Sequence, residues 1–308
     1  MGIASQPSKL SLPQRNPGVV TVLDYLIKKF PAIKPLVWRQ RMIDGKVHWH
    51  DGRLIKPETL FQAQQRVYYY REVESEPIIP FTETVLYQDE HILVAHKPHF
   101  LALIPGGVFV NECLQNRLRL KTGIASLQAL HRLDRVTAGL VLFSTNPDTR
   151  HLYHQLFNNG QIQKTYQAIA CVGTDQHIVG QQWQVKNRLV SSQPRFRMHV
   201  VEGEANSHSV IQGISQCGDK ALFELKPITG KTHQLRVHMQ TLGWPILNDK
   251  YYPALEEESP DNYAKPLQLL AKELRFVDPV TQEPRLFCNP ENLRWEEISG
   301  AWQCDNLE

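Results

Sequence analysis

Two short stretches of the chain carry side chains whose types and spacing suit covalent or acid–base chemistry. The first is His131-Arg132-Leu133-Asp134-Arg135-Val136-Thr137-Ala138-Gly139. Arginines close to an aspartate favour its ionised form, the form that attacks an electrophilic carbon or accepts a proton. The following Gly139 and the apolar run Gly139–Phe143 place Asp134 in a loop just before a buried strand, where a side chain can be presented to a cleft. The second stretch is Thr229-Gly230-Lys231-Thr232-His233-Gln234-Leu235-Arg236-Val237-His238. Here Thr232 is expected to cap a helix whose first turn holds His233 and Gln234, with Arg236 just beyond. A guanidinium keeps its charge and binds a carboxylate through two hydrogen bonds, so Arg236 is a natural partner for Asp134. The positive end of the helix also favours an anion nearby. Taken singly, neither stretch is specific. The first fits a structural Asp–Arg pair in a turn better than it fits a site, and His-Gln-x-Arg is a weak pattern.

Four stretches in order are specific. They are Ile92–Pro98, a strand ending in Lys97-Pro98; His131–Gly139; Lys164-Thr165-Tyr166-Gln167-Ala168; and Pro227–Tyr251, which includes Gly243-Trp244-Pro245-Ile246-Leu247-Asn248-Asp249. With these, residues 90–280 resemble the catalytic domain of RNA pseudouridine synthases of the RluA type. The resemblance implies an isomerase that turns specific uridines of structured RNA, ribosomal or transfer RNA, into pseudouridine. It implies Asp134 as nucleophile, Arg236 as its partner, and Tyr166 stacked on the uracil and close to the C5 proton. Arg132 matches the residue that fills the space left by the extruded nucleotide. Thr137 and Lys97 match positioning groups, and Lys164, His233 and Gln234 complete the expected substrate contacts. The carboxylate's first target, sugar, base or 2′ proton, stays open. The reaction changes no oxidation state, so no cofactor is expected.

Three positions depart from the pattern. Ala138 stands where Ser is usual, Lys231 where Arg is usual, and Leu270 where His commonly precedes Ala. They bear on substrate contacts and leave the reaction class intact. Two other readings fit parts of the sequence: a non-catalytic RNA-binding protein that kept the fold, against which the presence of Asp134, Tyr166 and Arg236 argues, and a carboxylate glycosidase, which needs a second acid about 5–10 Å away that the matched stretches do not offer.

The elements that position these residues read as an α+β fold. Ile92–Ala95 and Gly139–Phe143 are expected as buried strands, and Lys164–Cys171 as an alternating strand with Lys164, Tyr166 and Ala168 on one face. Asn146-Pro147 is expected to open a helix bearing Leu152 and Leu156, and a helix with Leu235, Met239 and Leu242 ends at Gly243. For the catalytic domain, placed at residues 77–308, the resemblance implies a mixed, largely antiparallel sheet.

Residues 18–76 read as a separate small α/β domain. Thr21 caps a helix through Leu23, Leu26, Ile27 and Phe30, and a second helix through Leu36–Met42 stops at Asp44-Gly45. A hairpin follows, with Lys46–His50 and Arg53–Lys56 around an Asp51-Gly52 turn, and then a strand over Val67–Tyr70. This order resembles the alpha-L RNA-binding domain. Charge agrees: residues 1–75 hold 12 Lys/Arg against 6 Asp/Glu, and residues 76–308 hold 22 against 25. A basic module on a near-neutral body fits a phosphate-bearing partner. Residues 1–17 read as a flexible tail without signal-peptide or myristoylation character, and Glu74–Pro80 as a linker.

Composition sets the frame. The 308 residues are 42% hydrophobic and 21% charged, which suits about two globular domains. No apolar run approaches the ~18 residues that span a bilayer. The five cysteines are scattered and odd in number, so neither a disulfide framework nor a cysteine zinc site is expected, and a reducing cytoplasm is. Pairs such as His48-x-His50 and His151-x-x-His154 lack a carboxylate or cysteine at ligand spacing, so no metal is expected. Nothing calls for an oligomer, and a monomer is expected.

Overall fold

The computed structural model describes residues 2–194 and 196–293. The chain forms two compact units, one of Met1–Ile78 with Pro105–Cys113 and one of Ile79–Ile104 with Leu114–Glu308.

In the first unit the elements are β1 (Gly2–Ile3), β2 (Ser8–Ser11), α1 (Val22–Lys29), α2 (Pro35–Ile43), β3 (Val47–Trp49), β4 (Arg66–Tyr69) and β5 (Glu72–Val73). Thr21 caps α1 as its residue type suggests. Its hydroxyl accepts from the Asp24 N–H while the Asp24 carboxylate accepts from the Thr21 N–H, so two orphan donors are satisfied reciprocally. The core gathers Leu23, Leu26, Trp38, Met42, Val47, Trp49 and Val67. Two features differ from the sequence reading. Of the expected tail, residues 1–17, the described part carries two strands: β2 is an edge strand against β4 in the order β2-β4-β3, and β1 pairs with β5. Arg53–Lys56 contributes only a single bridge, His48 to Leu54, in place of a second hairpin strand. The inserted segment 105–113 is tied in by Glu76, whose Oε1 accepts from the backbone N–H groups of Val110, Asn111 and Glu112. Long-range ties of this kind have no local signature.

The second unit contains β6 (Thr84–Gln88), β7 (Ile92–Lys97), α3 (Leu114–Thr122), β8 (Gln128–Ala129), β9 (Ala138–Ser144), α4 (Arg150–Asn158), β10 (Gln163–Cys171), β11 (Gln182–Ser191), β12 (Met198–Val201), β13 (Ser207–Cys217), β14 (Lys220–Pro227), α5 (Gln234–Thr241), β15 (Leu269–Val277) and β16 (Pro284–Cys288). Among the described residues these strands build one eleven-stranded sheet in the order β12-β11-β13-β14-β10-β15-β9-β7-β6, with β16 on β15 and β8 on β9. The α+β expectation holds. Strand β9 pairs in parallel with β15, and every other pairing of these strands is antiparallel.

The β9–β15 seam is short: Ala138 opposite Leu270, and Gly139 opposite Ala271. Gly139 adopts φ +121°, and any β-carbon there would collide with the Ala271 backbone. The register makes one row across the sheet, from Tyr166 through Ala271 and Gly139 to Lys97. Two of the three departures from the family pattern, Ala138 and Leu270, are register partners and both are buried. An apolar pair thus stands where Ser and His are usual, and neither residue brings a side-chain polar group that needs a partner.

Two helix starts differ from the sequence reading. Helix α4 begins at Arg150, because Asn146 spends its Oδ1 on the Asp148 N–H in a turn one step earlier. Helix α5 begins at Gln234 after His233, which is left-handed at φ 52°, and Thr232 is not its cap.

Candidate active site

A cleft of about 670 Å³ opens in the second unit where the loop before β9, strand β10 and the turn between β14 and α5 converge. Asp134, Arg132, Thr137, Lys164, Tyr166, His233, Gln234 and Arg236 all line it. Of the residues singled out from sequence, Lys97 does not.

Asp134 sits in a turn closed by the Thr137 N–H donating to the Asp134 carbonyl at 3.1 Å, and its side chain is 22% exposed. Two nitrogens approach the same oxygen, Oδ2: His233 Nε2 and Arg236 Nη1, each at 3.6 Å. Arg236 is buried, and its main partner is not Asp134. Nε and Nη2 donate to the two oxygens of Asp249 at 2.7 and 2.5 Å, a bidentate pair with both side chains almost wholly buried. That arrangement leaves Nη1 buried and without a hydrogen-bond partner, facing Asp134. The guanidinium also lies over the rings of Tyr251 and Tyr252, at 4.9 and 5.3 Å from their centroids. Asp249 was within reach of sequence reasoning, because it ends the stretch Gly243–Asp249, but a pairing across 13 residues leaves no periodic trace.

Tyr166 faces the cleft from β10, where the register against β15 shifts by one extra β15 residue, Lys272, between Thr165 and Tyr166. Burial, with the charge of Asp134 second, raises the Tyr166 phenol above its ordinary pKa, so the hydroxyl stays protonated. Lys164 lines the cleft next to Gly230, and burial lowers its pKa. Arg132 and Lys231 are exposed at the cleft.

Three of the residues singled out from sequence are engaged by the chain itself. Lys97 is fully buried, and its ammonium donates to the carbonyls of Pro98, Leu101 and Arg135, each at 2.9 Å. It clamps the loop next to Asp134 and cannot reach RNA. Burial pushes its pKa well below the usual lysine value, against the opposing pull of Asp134. Gln234 spends both ends of its amide on the chain: Oε1 accepts from Thr229 Oγ1 and the Lys231 N–H, and Nε2 donates to the His208 carbonyl and Ser209 Oγ. It shapes the 229–231 turn. His233 is largely withdrawn from solvent, and its contacts are with Asp134 and Tyr252. Among the described residues no group of three or more His, Cys, Asp or Glu is arranged to hold a metal ion.

A profile of the family described as RNA pseudouridylate synthase matches residues 91–241, which span the Asp134 loop, Tyr166 and Arg236. The dual-specificity RNA pseudouridine synthase RluA of Yersinia pestis is 32% identical over 211 residues, covering 67% of this chain and 98% of that protein. The chain belongs to the RNA pseudouridine synthases, of the RluA type. The ribosomal large subunit pseudouridine synthase C of Pasteurella multocida is similar over a greater length, 29% identical across 90% of this chain and 89% of its own. In three dimensions the fold is shared with human RNA pseudouridylate synthase domain containing 1, at a TM-score of 0.56 and 23% identity over 70% of this chain and 86% of that one. As a pseudouridine synthase the chain is an isomerase acting on RNA, and no helix among the described residues is long and apolar enough to cross a membrane.

Proposed function

We propose that this pseudouridine synthase acts on uridines of structured ribosomal RNA, with transfer RNA as the second candidate, and that Asp134 is its nucleophile. The reading rests on one observation above all: Asp134 is a cleft carboxylate faced by a buried arginine whose Nη1 has no other partner. The reaction breaks the C1′–N1 bond of uridine, turns the uracil, joins C5 to C1′ and releases the C5 proton. An ionised carboxylate serves any of three openings, attack at the sugar, attack at the base, or removal of the 2′ proton. The target nucleotide must leave its stack to enter the cleft, and the exposed Arg132 is placed to fill the gap it leaves. The ribosomal preference draws on the Pasteurella relative, which is matched over almost its whole length.

Release of tritium from C5-labelled uridine tests the reading, with ribosomal and transfer RNA transcripts as separate substrates. Release from the ribosomal transcript is expected, and release from neither overturns the proposal. The first unit serves as an RNA anchor in this reading, through exposed cations such as Lys29, Lys34 and Arg39. Replacing these by Gln should flatten the salt dependence of RNA affinity by about 0.7 in logarithmic slope for each single-strand phosphate that is no longer neutralised. An unchanged slope removes the anchor role.

Tyr166 separates into ring and hydroxyl. The ring is placed to stack on the extruded uracil, an interaction worth about 1–3 kcal/mol per base. In this reading the hydroxyl takes up the C5 proton as it passes its own proton to the Asp134 carboxylate or to solvent. Tyr166→Phe should therefore keep RNA affinity and lose most product formation in single-turnover assays. A Phe variant with the native rate takes the hydroxyl out of the mechanism.

A further inference from the structure

His233 lies beside the cleft carboxylate and Tyr252 lies behind His233, and their geometry forms a chain. His233 Nε2 faces Asp134 Oδ2 at 3.6 Å, and its other ring nitrogen, Nδ1, is 3.1 Å from the Tyr252 hydroxyl. That hydroxyl accepts from the Met198 N–H at 2.8 Å and lies 3.2 Å from the Met198 carbonyl. We infer that Tyr252 and His233 act as positioning residues for Asp134, the tyrosine O–H fixing the imidazole tautomer so that Nε2–H points at the carboxylate.

One proton decides the arrangement. Burial pushes the imidazolium of His233 down to a pKa of about 4, so the ring is neutral near pH 7 and only one of its nitrogens carries hydrogen. The Tyr252 proton has two acceptors within reach, the Met198 carbonyl and His233 Nδ1. If it goes to Met198, the imidazole must donate from Nδ1, and the Nε2 lone pair then faces an anionic oxygen. If it goes to Nδ1, Nε2–H faces the carboxylate, and repulsion becomes attraction. The second arrangement is the favoured one by simple electrostatics.

The surroundings fit this role. The left-handed backbone of His233 sets the ring between Tyr251 and Tyr252, edge-on to the latter at 85° and 5.8 Å. Tyr252 is buried, and Asp249 Oδ1 accepts the backbone N–H groups of Tyr251 and Tyr252 while the same carboxylate holds Arg236. Both arms that reach Asp134 are therefore braced by Asp249. The charged and titratable groups around the pair are Arg132, Asp134, Arg236, Asp249 and Tyr251 about His233 and Arg197 over the Tyr252 ring, with Lys97 and Tyr166 feeling the charge of Asp134 from their own elements.

The inference rests on Asp134 as the nucleophile, and the experiment separates the two. Ring-¹⁵N spectra of the full-length chain, with His233 assigned through His233→Gln, report which nitrogen of His233 is protonated. Protonation at Nε2 is expected, and protonation at Nδ1 overturns the inference whether or not any variant folds. Single-turnover tritium release across pH is measured in parallel. Tyr252→Phe should slow the step about fivefold, as the loss of one neutral hydrogen bond does, and move the acid limb to higher pH with RNA affinity unchanged. His233→Leu should slow it about tenfold or more, as the loss of a donor to a charged group does. His233→Gln, which keeps an N–H of similar reach, should recover most of that rate. A merely structural tyrosine would lower Tm and leave both rate and acid limb alone. Native rate and acid limb in Tyr252→Phe, with Asp134→Asn inactive, sinks this inference and leaves the nucleophile standing. Turnover by Asp134→Asn sinks the nucleophile itself.

Discussion

Asp134→Asn should lower pseudouridine formation by about 10⁴-fold or more, the scale seen when a nucleophile is removed from an otherwise intact site, while RNA affinity stays near native. The amide preserves shape and volume, so the turn closed by the Thr137 N–H and the Asp134 carbonyl survives. What disappears is the negative charge faced by His233 Nε2 and Arg236 Nη1. Each of the three openings available to this carboxylate needs that charge, whether it attacks or takes a proton, so the loss is expected under all of them. The exposed Arg132 and Lys231 keep their own charges in this variant. Single-turnover tritium release and a direct binding measurement on the same preparation decide the matter. Turnover within tenfold of native would require another nucleophile.

Arg236→Ala should be inactive and also markedly less stable, by about 3–5 kcal/mol, because it strands a buried partner. The partner is Asp249, whose side chain is fully buried and whose Oδ2 would lose its guanidinium donor. At the size of the second unit this corresponds to a fall in Tm of about 10 °C. Arg236→Lys separates the two effects. It keeps one positive charge for Asp249, so most of the stability should return. A lysine cannot grip Asp249 with two nitrogens and present a third to Asp134, so activity should not return. An Arg236→Ala variant with native Tm would mean that the Asp249 pair is not an important element of the fold.

Arg236 also marks where sequence reasoning stops. Its presence at the site was legible because four stretches in fixed order identify the catalytic domain, and Tyr166 and Asp134 were legible in the same way. Its true partner was not, since which of two carboxylates takes the bidentate grip depends on the turn that brings residue 249 back over α5. Lys97 shows the same boundary. The resemblance marks Lys97 as a positioning group, but the three carbonyls that surround it come from residues 98, 101 and 135 and leave no local pattern. Local signals fared better. Thr21 with Asp24, the helix end at Gly243, and the apolar strands β7 and β9 each follow from a few adjacent residues. The first 17 residues failed for the opposite reason. Their strands are short and polar, and take their order from β4 and β5.

The seam at Gly139 sets how much slack the catalytic centre has. Asp134 arrives on the chain entering β9, whereas Tyr166 and Arg236 come from the far side of the seam. Productive constellations survive displacements of only about 0.5 Å. At Gly139 the obstacle is the backbone of Ala271, which cannot swing aside as the tip of a side chain can. Even one added methyl would have to part the strands, and parting them moves nucleophile and tyrosine against each other. Exchange of neighbouring side chains stays open to an evolving sequence, as the Ala138–Leu270 pair illustrates, but widening the gap does not. The spacing of Asp134 from Tyr166 and Arg236 is therefore set by backbone against backbone at the seam, with no side chain there that could give way.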